Sequence, residues 1–331
     1  MSLQLDRRRF IGGAAWLAVA APYARVSAQA VPRSSFGPEA TALKVTEGID
    51  LSGKTAVVTG CNSGIGYETM RALALRGAHV IGTARTIERG REACVSVEGR
   101  TTPVVLELTD FDSIVTCAEE IRALETPVDM LILNAGVLLN ELKQVNGIEM
   151  QFVVNHLGHF LLTNRLLDRV MAAPEGRVVV VGSMSHRQVP EGGIQFDNLS
   201  GEGWANRAYG HSKLANGLFS LELSRLLAAT SATSNSLHPG VVATNIMRNL
   251  NFTPGGPGGG GGGGGGGFRF KTPEQGAATS AYVATNPGLR GVTGQYFVDC
   301  NPEEPSEHQR DTAMAAKLWE ISEDLTRDFL I

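Results

Sequence analysis

The sequence predicts an α/β fold: one doubly wound parallel sheet with helices on both faces, in a single domain. Two observations carry this expectation. From Lys54 onward, short β-branched runs alternate with helix-length amphipathic segments, the pattern of strand–helix–strand units. Two of those runs, Leu131 to Leu133 and Val178 to Val181, are almost continuous in Val, Ile and Leu, as strands covered on both faces require. Composition agrees: 43% hydrophobic and 19% charged residues over 331 positions supply a sizeable core and exclude wholesale disorder. A net charge of −4 gives no electrostatic footprint for nucleic acid.

In chain order, the expected strands are Thr55 to Thr59, His79 to Thr83, Pro103 to Glu107, Met130 to Leu133, Arg177 to Val181, Ser234 to Leu237 and Gln295 to Val298. The expected helices are Ile65 to Arg76, Phe111 to Leu124, Glu149 to Met171, Ala205 to Leu227, Pro273 to Thr285 and Asp311 to Leu325. Residues 51–331 form the expected folded domain, preceded by a polar linker, 31–50. Residues 1–30 read as an address. Asp6-Arg7-Arg8-Arg9-Phe10-Ile11 resembles the twin-arginine export signal, an Ala/Gly-rich stretch too short to span a bilayer follows, and Ala28-Gln29-Ala30 offers a cleavage site. The implied location is the periplasm, or the cytoplasm if the segment is not used, and no span is expected in the mature chain.

Forty residues are glycine, and twelve of them fall in the tract Gly255 to Gly267. Polyglycine pays about 1 kcal/mol per residue against alanine in a helix, so 251–270 reads as a flexible substrate-loop segment, its apolar contacts left to Phe252, Phe268 or Phe270.

The first strand runs into Thr59-Gly60-Cys61-Asn62-Ser63-Gly64-Ile65-Gly66 and then a helix. Glycines there let the backbone turn sharply against a pyrophosphate, and the helix N-terminus offers N–H groups and partial positive charge. The spacing Gly-x-x-x-Gly-x-Gly resembles that of the short-chain dehydrogenase/reductase family. The resemblance implies a Rossmann-type sheet of about seven strands in the order 3-2-1-4-5-6-7, and a nicotinamide cofactor held by Gly60, Asn62, Ser63, Gly64, Ile65 and Gly66. The second strand ends in Thr83-Ala84-Arg85-Thr86 with no carboxylate to accept a ribose hydroxyl, while Arg85 suits a 2′-phosphate, so NADP(H) is favoured over NAD. Glu107-Leu108 stands where the family carries Asp-Leu near the adenine, and Asn134-Ala135-Gly136 matches its Asn-Ala-Gly. Pro239-Gly240 matches its turn beside the nicotinamide, followed by Val242 and by Thr244 near the carboxamide.

Tyr209 and Lys213, four residues apart, share one helix face. An ammonium beside the phenol, with the charge of an oxidised nicotinamide, is expected to bring the tyrosine toward working pH as an acid–base group, while Lys213 holds the ribose. Ser183 matches the family's serine that orients the substrate oxygen, and Asn155 the helix asparagine of its proton relay. Ser183 and Tyr209 are 26 residues apart, and with Gly192-Gly193-Ile194-Gln195-Phe196-Asp197-Asn198-Leu199 between them the chain resembles the retinol-dehydrogenase and WW-domain-oxidoreductase-like branch. That branch implies NADP(H)-linked interconversion of apolar (retinol-like or steroid-like) alcohols with aldehydes or ketones. The long helices Glu149 to Met171 and Ala205 to Leu227 resemble those through which relatives form homodimers or homotetramers. A weakly catalytic cofactor-binding sensor or assembly protein and a sugar-nucleotide epimerase or dehydratase are the alternatives. The histidines 156, 159, 186, 211 and 238 show no metal spacing and read as structural; no metal is expected. Cys61, Cys300 and Trp204 read as packing residues, and the four cysteines as neither a disulfide framework nor a zinc site.

Overall fold

The computed structural model describes residues 31–242 and 270–330. Thr244, the glycine tract with Phe252 and Phe268, and the export-like segment 1–30 lie outside the described residues. The sheet consists of β1 (Thr55–Val58), β2 (His79–Ala84), β3 (Arg100–Val105), β4 (Met130–Leu133), β5 (Arg177–Val181), β6 (Thr233–His238), β7 (Tyr296–Val298) and β8 (Asn301–Glu303). Its order is β3-β2-β1-β4-β5-β6-β7-β8, parallel as far as β7, with β8 antiparallel at the edge. The expected order 3-2-1-4-5-6-7 is therefore the observed one, extended by one strand. The principal helices are α1 (Gly64–Leu75), α2 (Ile87–Val95), α3 (Phe111–Arg122), α4 (Gly158–Met171), α5 (Ala208–Leu226), α6 (Pro273–Thr285) and α7 (Thr312–Thr326). Every residue of β1, β4 and β5 is buried, as the apolar runs predict for central strands.

Four departures from expectation have local causes. β3 starts at Arg100 and carries Pro103 inside it, paired opposite Gly82. The strand is an edge, so the missing proline N–H costs no ladder bond. The turn into β8 is made by Asp299 and Cys300, at φ +50° and +61°, without the glycine that marks such hairpins in a sequence. Helix α2 was not anticipated: it has nine residues and buries little beyond Ala93 and Cys94, with Gly90 mid-helix because a Cβ there would lie 3.2 Å from that of Pro103. The stretch Glu149 to Met171 is not one α-helix. A π-helical turn, Val153–Leu157, interrupts it and contains Asn155.

Residues 32–50, expected to be a linker, belong to the same compact unit as the rest of the described domain. Ser34 donates from N to Asn301 Oδ1 and from Oγ to Cys300 O, both at 2.9 Å, and the Phe36 ring meets Tyr282 edge-on. At the other end, α7 packs on α5 and lays Trp319 against Phe219 and Phe160, with ring centroids 5.8 and 4.9 Å apart.

Candidate active site

The loop after β1 is shaped by three glycines, each for its own reason. Gly60 and Gly64 sit at φ +70° and +60°, where a side chain is strained. Gly66 has no room for one: a Cβ would fall 2.2 Å from Gly60 O. The loop and the N-terminus of α1 thereby form one wall of a cleft of about 720 Å³ at the carboxyl end of the sheet. Gly60, Asn62, Ser63, Gly64, Ile65, Gly66, Arg85, Glu107, Leu108, Asn134, Ala135, Gly136, Pro239, Gly240 and Val242 line it, together with Ser183, Tyr209 and Lys213. All the expected cofactor residues within the described chain meet there. Asn155 stands behind the wall. Arg89 and His238 line the cleft too and were not anticipated; Arg89 lies in the first turn of α2, four residues after Arg85. The glycine cradle, the positive helix end and the two arginines fit a dinucleotide phosphate. Glu107, the one carboxylate among the described lining residues, accepts through Oε1 from Thr109 N (3.1 Å) and Oγ1 (2.9 Å).

Thr59 ties this loop to the catalytic end. Its Oγ1 accepts from the backbone N–H of Asn134 and of Ala135, both at 2.9 Å, which fills its lone pairs. Its hydrogen then goes to His159 Nε2 at 2.9 Å, the alternative, Ile132 O at 3.5 Å, being at the limit of bonding. Nε2 is an acceptor, so the proton is on Nδ1, which donates to the Asn155 carbonyl at 3.1 Å. Burial keeps this histidine neutral, with a pKa down at about 4. The Asn155 side chain grips the chain after Gly136, accepting from Val137 N (2.8 Å) and donating to Val137 O (3.0 Å) and Ser212 Oγ (2.9 Å).

Ser183 follows β5 and caps a short 3₁₀ turn, Met184–Arg187. Its Oγ accepts from Ser185 N at 3.1 Å and donates to Ser185 Oγ at 3.2 Å, and it lines the cleft together with Tyr209. Gly210 brings the start of α5 against this turn. A Cβ there would fall 2.0 Å from Gln188 O and 2.6 Å from Ser185 O, so only glycine lets α5 press onto the turn. Lys213 is buried under Tyr209, with Nζ 5.6 Å from the ring centroid and donating to Val181 O at 3.0 Å. Burial pushes Lys213 down to about 8 and Tyr209 up to about 12. The protein alone therefore leaves the phenol above its ordinary range, and the expected lowering rests on the charge of an oxidised nicotinamide as well. Loss of water outweighs the lowering influence of the neighbouring Ser183, and the ammonium is directed at the end of β5.

A glycine cradle leading to a Ser–Tyr–Lys cluster on the ends of β5 and α5 invites comparison with known proteins. The family model for short chain dehydrogenases matches residues 54–254. The chain belongs to the short chain dehydrogenase family. It is 40% identical to the short-chain dehydrogenase TIC 32 B, chloroplastic, of Brassica napus, over 88% of this chain and 94% of that protein. It is also 40% identical to human retinol dehydrogenase 11, over 85% of this chain and 88% of that one. Among solved structures, an uncharacterized protein from Mycobacterium Paratuberculosis is 30% identical with a TM-score of 0.68, covering 86% of this chain and 97% of that one. Two further histidines hold structure. His156 Nε2 bonds Ser322 Oγ (2.8 Å), and His186 donates to Ser183 O and accepts from Ser306 N. Among the described residues no cluster of His, Cys, Asp or Glu is placed to hold a metal, and no helix is long and apolar enough to cross a membrane.

Proposed function

We propose that the protein is an NADP(H)-linked oxidoreductase that interconverts apolar alcohols with aldehydes or ketones. The observation that carries this reading is that Ser183, Tyr209 and the buried Lys213 line the same cleft as the glycine cradle, with the Lys213 ammonium 5.6 Å from the Tyr209 ring. A bound nicotinamide supplies or takes the hydride. Ser183 orients the substrate oxygen by its hydroxyl. Tyr209 as phenol would give its proton to a carbonyl oxygen as the carbon is reduced, and as phenolate would take one from an alcohol in reverse. Lys213, released from Val181 O, would hold the ribose. Arg85 and Arg89 supply two cations for a 2′-phosphate, and the one lining carboxylate is turned to Thr109, which supports NADP(H) over NAD. Val137, Leu138, Met150 and Val154 give the cleft an apolar wall next to Asn155. The retinol dehydrogenase relative points to the same substrate class.

Export on the twin-arginine route is part of the proposal. It carries proteins already folded, so cofactor seated in this cleft would travel with the chain. The test is NADPH consumption by purified protein across a panel of apolar aldehydes and ketones. Turnover with long-chain aldehydes, faster than with NADH, is expected; no consumption with any carbonyl would overturn the reading.

A further inference from the structure

A serine hydroxyl has one hydrogen to give and two lone pairs to receive with, and the turn after Ser183 claims most of these. Ser183 Oγ accepts from Ser185 N at 3.1 Å, and its hydrogen is donated to Ser185 Oγ at 3.2 Å. The backbone around this pair is pinned. Ser183 O accepts from His186 N at 3.2 Å and from His186 Nδ1 at 2.6 Å. His186 is fully buried and held in turn through Nε2, which accepts from Ser306 N at 3.1 Å. Met184 N donates to His238 Nδ1 at 3.3 Å, and Gln188 N to Ser185 O at 2.8 Å. The N–H groups of Met184, Ser185 and His186 are thus all engaged within the protein. What remains to be turned toward the cleft is the Ser183 hydroxyl hydrogen. Ser183 lines that cleft, whereas Ser185 is half-buried and stands outside the lining.

We propose that Ser185 is a positioning residue that competes with substrate for the Ser183 hydrogen, and so sets substrate affinity rather than turnover. This rests on the proposed function, in which Ser183 bonds the substrate oxygen. To be bound, that oxygen has to take the hydrogen from Ser185. The hydrogen swings about the Cβ–Oγ bond of Ser183, the bond to Ser185 Oγ is given up, and one to the substrate oxygen replaces it. No covalent bond changes, and Ser185 N keeps the Ser183 oxygen in place throughout. The bond given up is a long one, 3.2 Å against about 2.7–2.8 Å between most hydroxyl oxygens. Its loss therefore weakens binding only about threefold, the low end of what a neutral hydrogen bond contributes. A carbonyl oxygen and an alcohol oxygen bear this equally, since both accept from Ser183 on one side while the Tyr209 proton is exchanged on the other. Reduction or oxidation of the carbon follows the exchange and does not feel it.

The full chain and its Ser185→Ala and Ser185→Thr variants are compared with the fastest aldehyde of the panel and NADPH, and with the matching alcohol and NADP+. In Ser185→Ala the KM of aldehyde and of alcohol should each fall about threefold, with both kcat values and the NADPH affinity unchanged. The two falls must match, because the equilibrium of the overall reaction is fixed. Ser185→Thr keeps the hydroxyl and should return the wild-type KM. An unchanged KM in Ser185→Ala, or a raised KM with a lowered kcat, would overturn the competition, as would a lowered KM in Ser185→Thr. Neutron diffraction from crystals of the wild-type protein reads the same bond without turnover. The Ser183 hydrogen is expected on the line to Ser185 Oγ; density directed at the cleft instead would overturn the proposal. Absence of turnover with any carbonyl would sink the proposed function, and the diffraction would still decide where the hydrogen lies.

Discussion

At the scale of single residues, the chemistry of this protein is carried by few atoms whose surroundings decide what they do. The glycine loop, Ser183, Tyr209 and Lys213 were legible in the sequence because each is a residue type that its position demands: no room at Gly66, a proton at Tyr209, a cation beneath it. Arg89 was not legible, since its place at the cleft depends on α2, a helix whose weak apolar face left no periodic signal. His159 has no motif around it in the sequence, since its place between Thr59 and the Asn155 carbonyl is made by contacts across the fold. The two arginines give the residue-scale prediction. A charge-assisted hydrogen bond is worth roughly 1.5–3 kcal/mol. Arg85→Ala with Arg89→Ala should therefore raise the Kd for NADPH by about tenfold or more, and leave that for NADH nearly unchanged. Equal weakening of both nucleotides in a titration would place the arginines outside the phosphate site.

At the scale of elements, the strand order followed from alternation and buried runs, while the exceptions came from features without a compositional mark. An edge strand tolerates Pro103, the turn into β8 does without glycine, and a π-helical turn puts one more residue into the α-helical count around Asn155. The meeting of α5 with the 3₁₀ turn after Ser183 is a contact that leaves no room for a side chain. Gly210→Ala would drive a methyl group into two backbone carbonyls, which cannot rotate away. It should cost roughly 1–3 kcal/mol of stability. By separating Ser183 from Tyr209 it should also lower kcat about a hundredfold with little change in cofactor affinity. Gly37→Ala, where nothing lies within 4 Å, is the matched control. Wild-type kcat in Gly210→Ala would show that the helix and turn do not set the site.

At the scale of the molecule, the buried histidines couple the fold to pH. Burial holds His156 and His211 down at about 3 and His159 and His238 at about 4. The unfolded chain binds these protons near pH 6.5 and the folded chain does not. The contribution is full above that value and is lost as pH falls from 6.5 toward 4, at roughly 1.4 kcal/mol per unit for each group. Unfolding near pH 5 should take up about four protons from this set alone, measured from the slope of stability against pH. A flat profile between pH 7 and 5 would contradict the packing of α4 and α5 around them. The two long helices also carry α7, with Trp319 on Phe219 and Phe160 and Ser322 on His156. Sequence pattern located that helix but could not say which face it covers, because the contact is made across the whole chain.

The most direct test of the central claim is a paired measurement on Tyr209→Phe: NADPH binding by titration, and NADPH consumption with the best aldehyde of the panel. The account predicts wild-type affinity with turnover reduced below detection, since only the proton donor is removed. Turnover within a few-fold of wild type would contradict it.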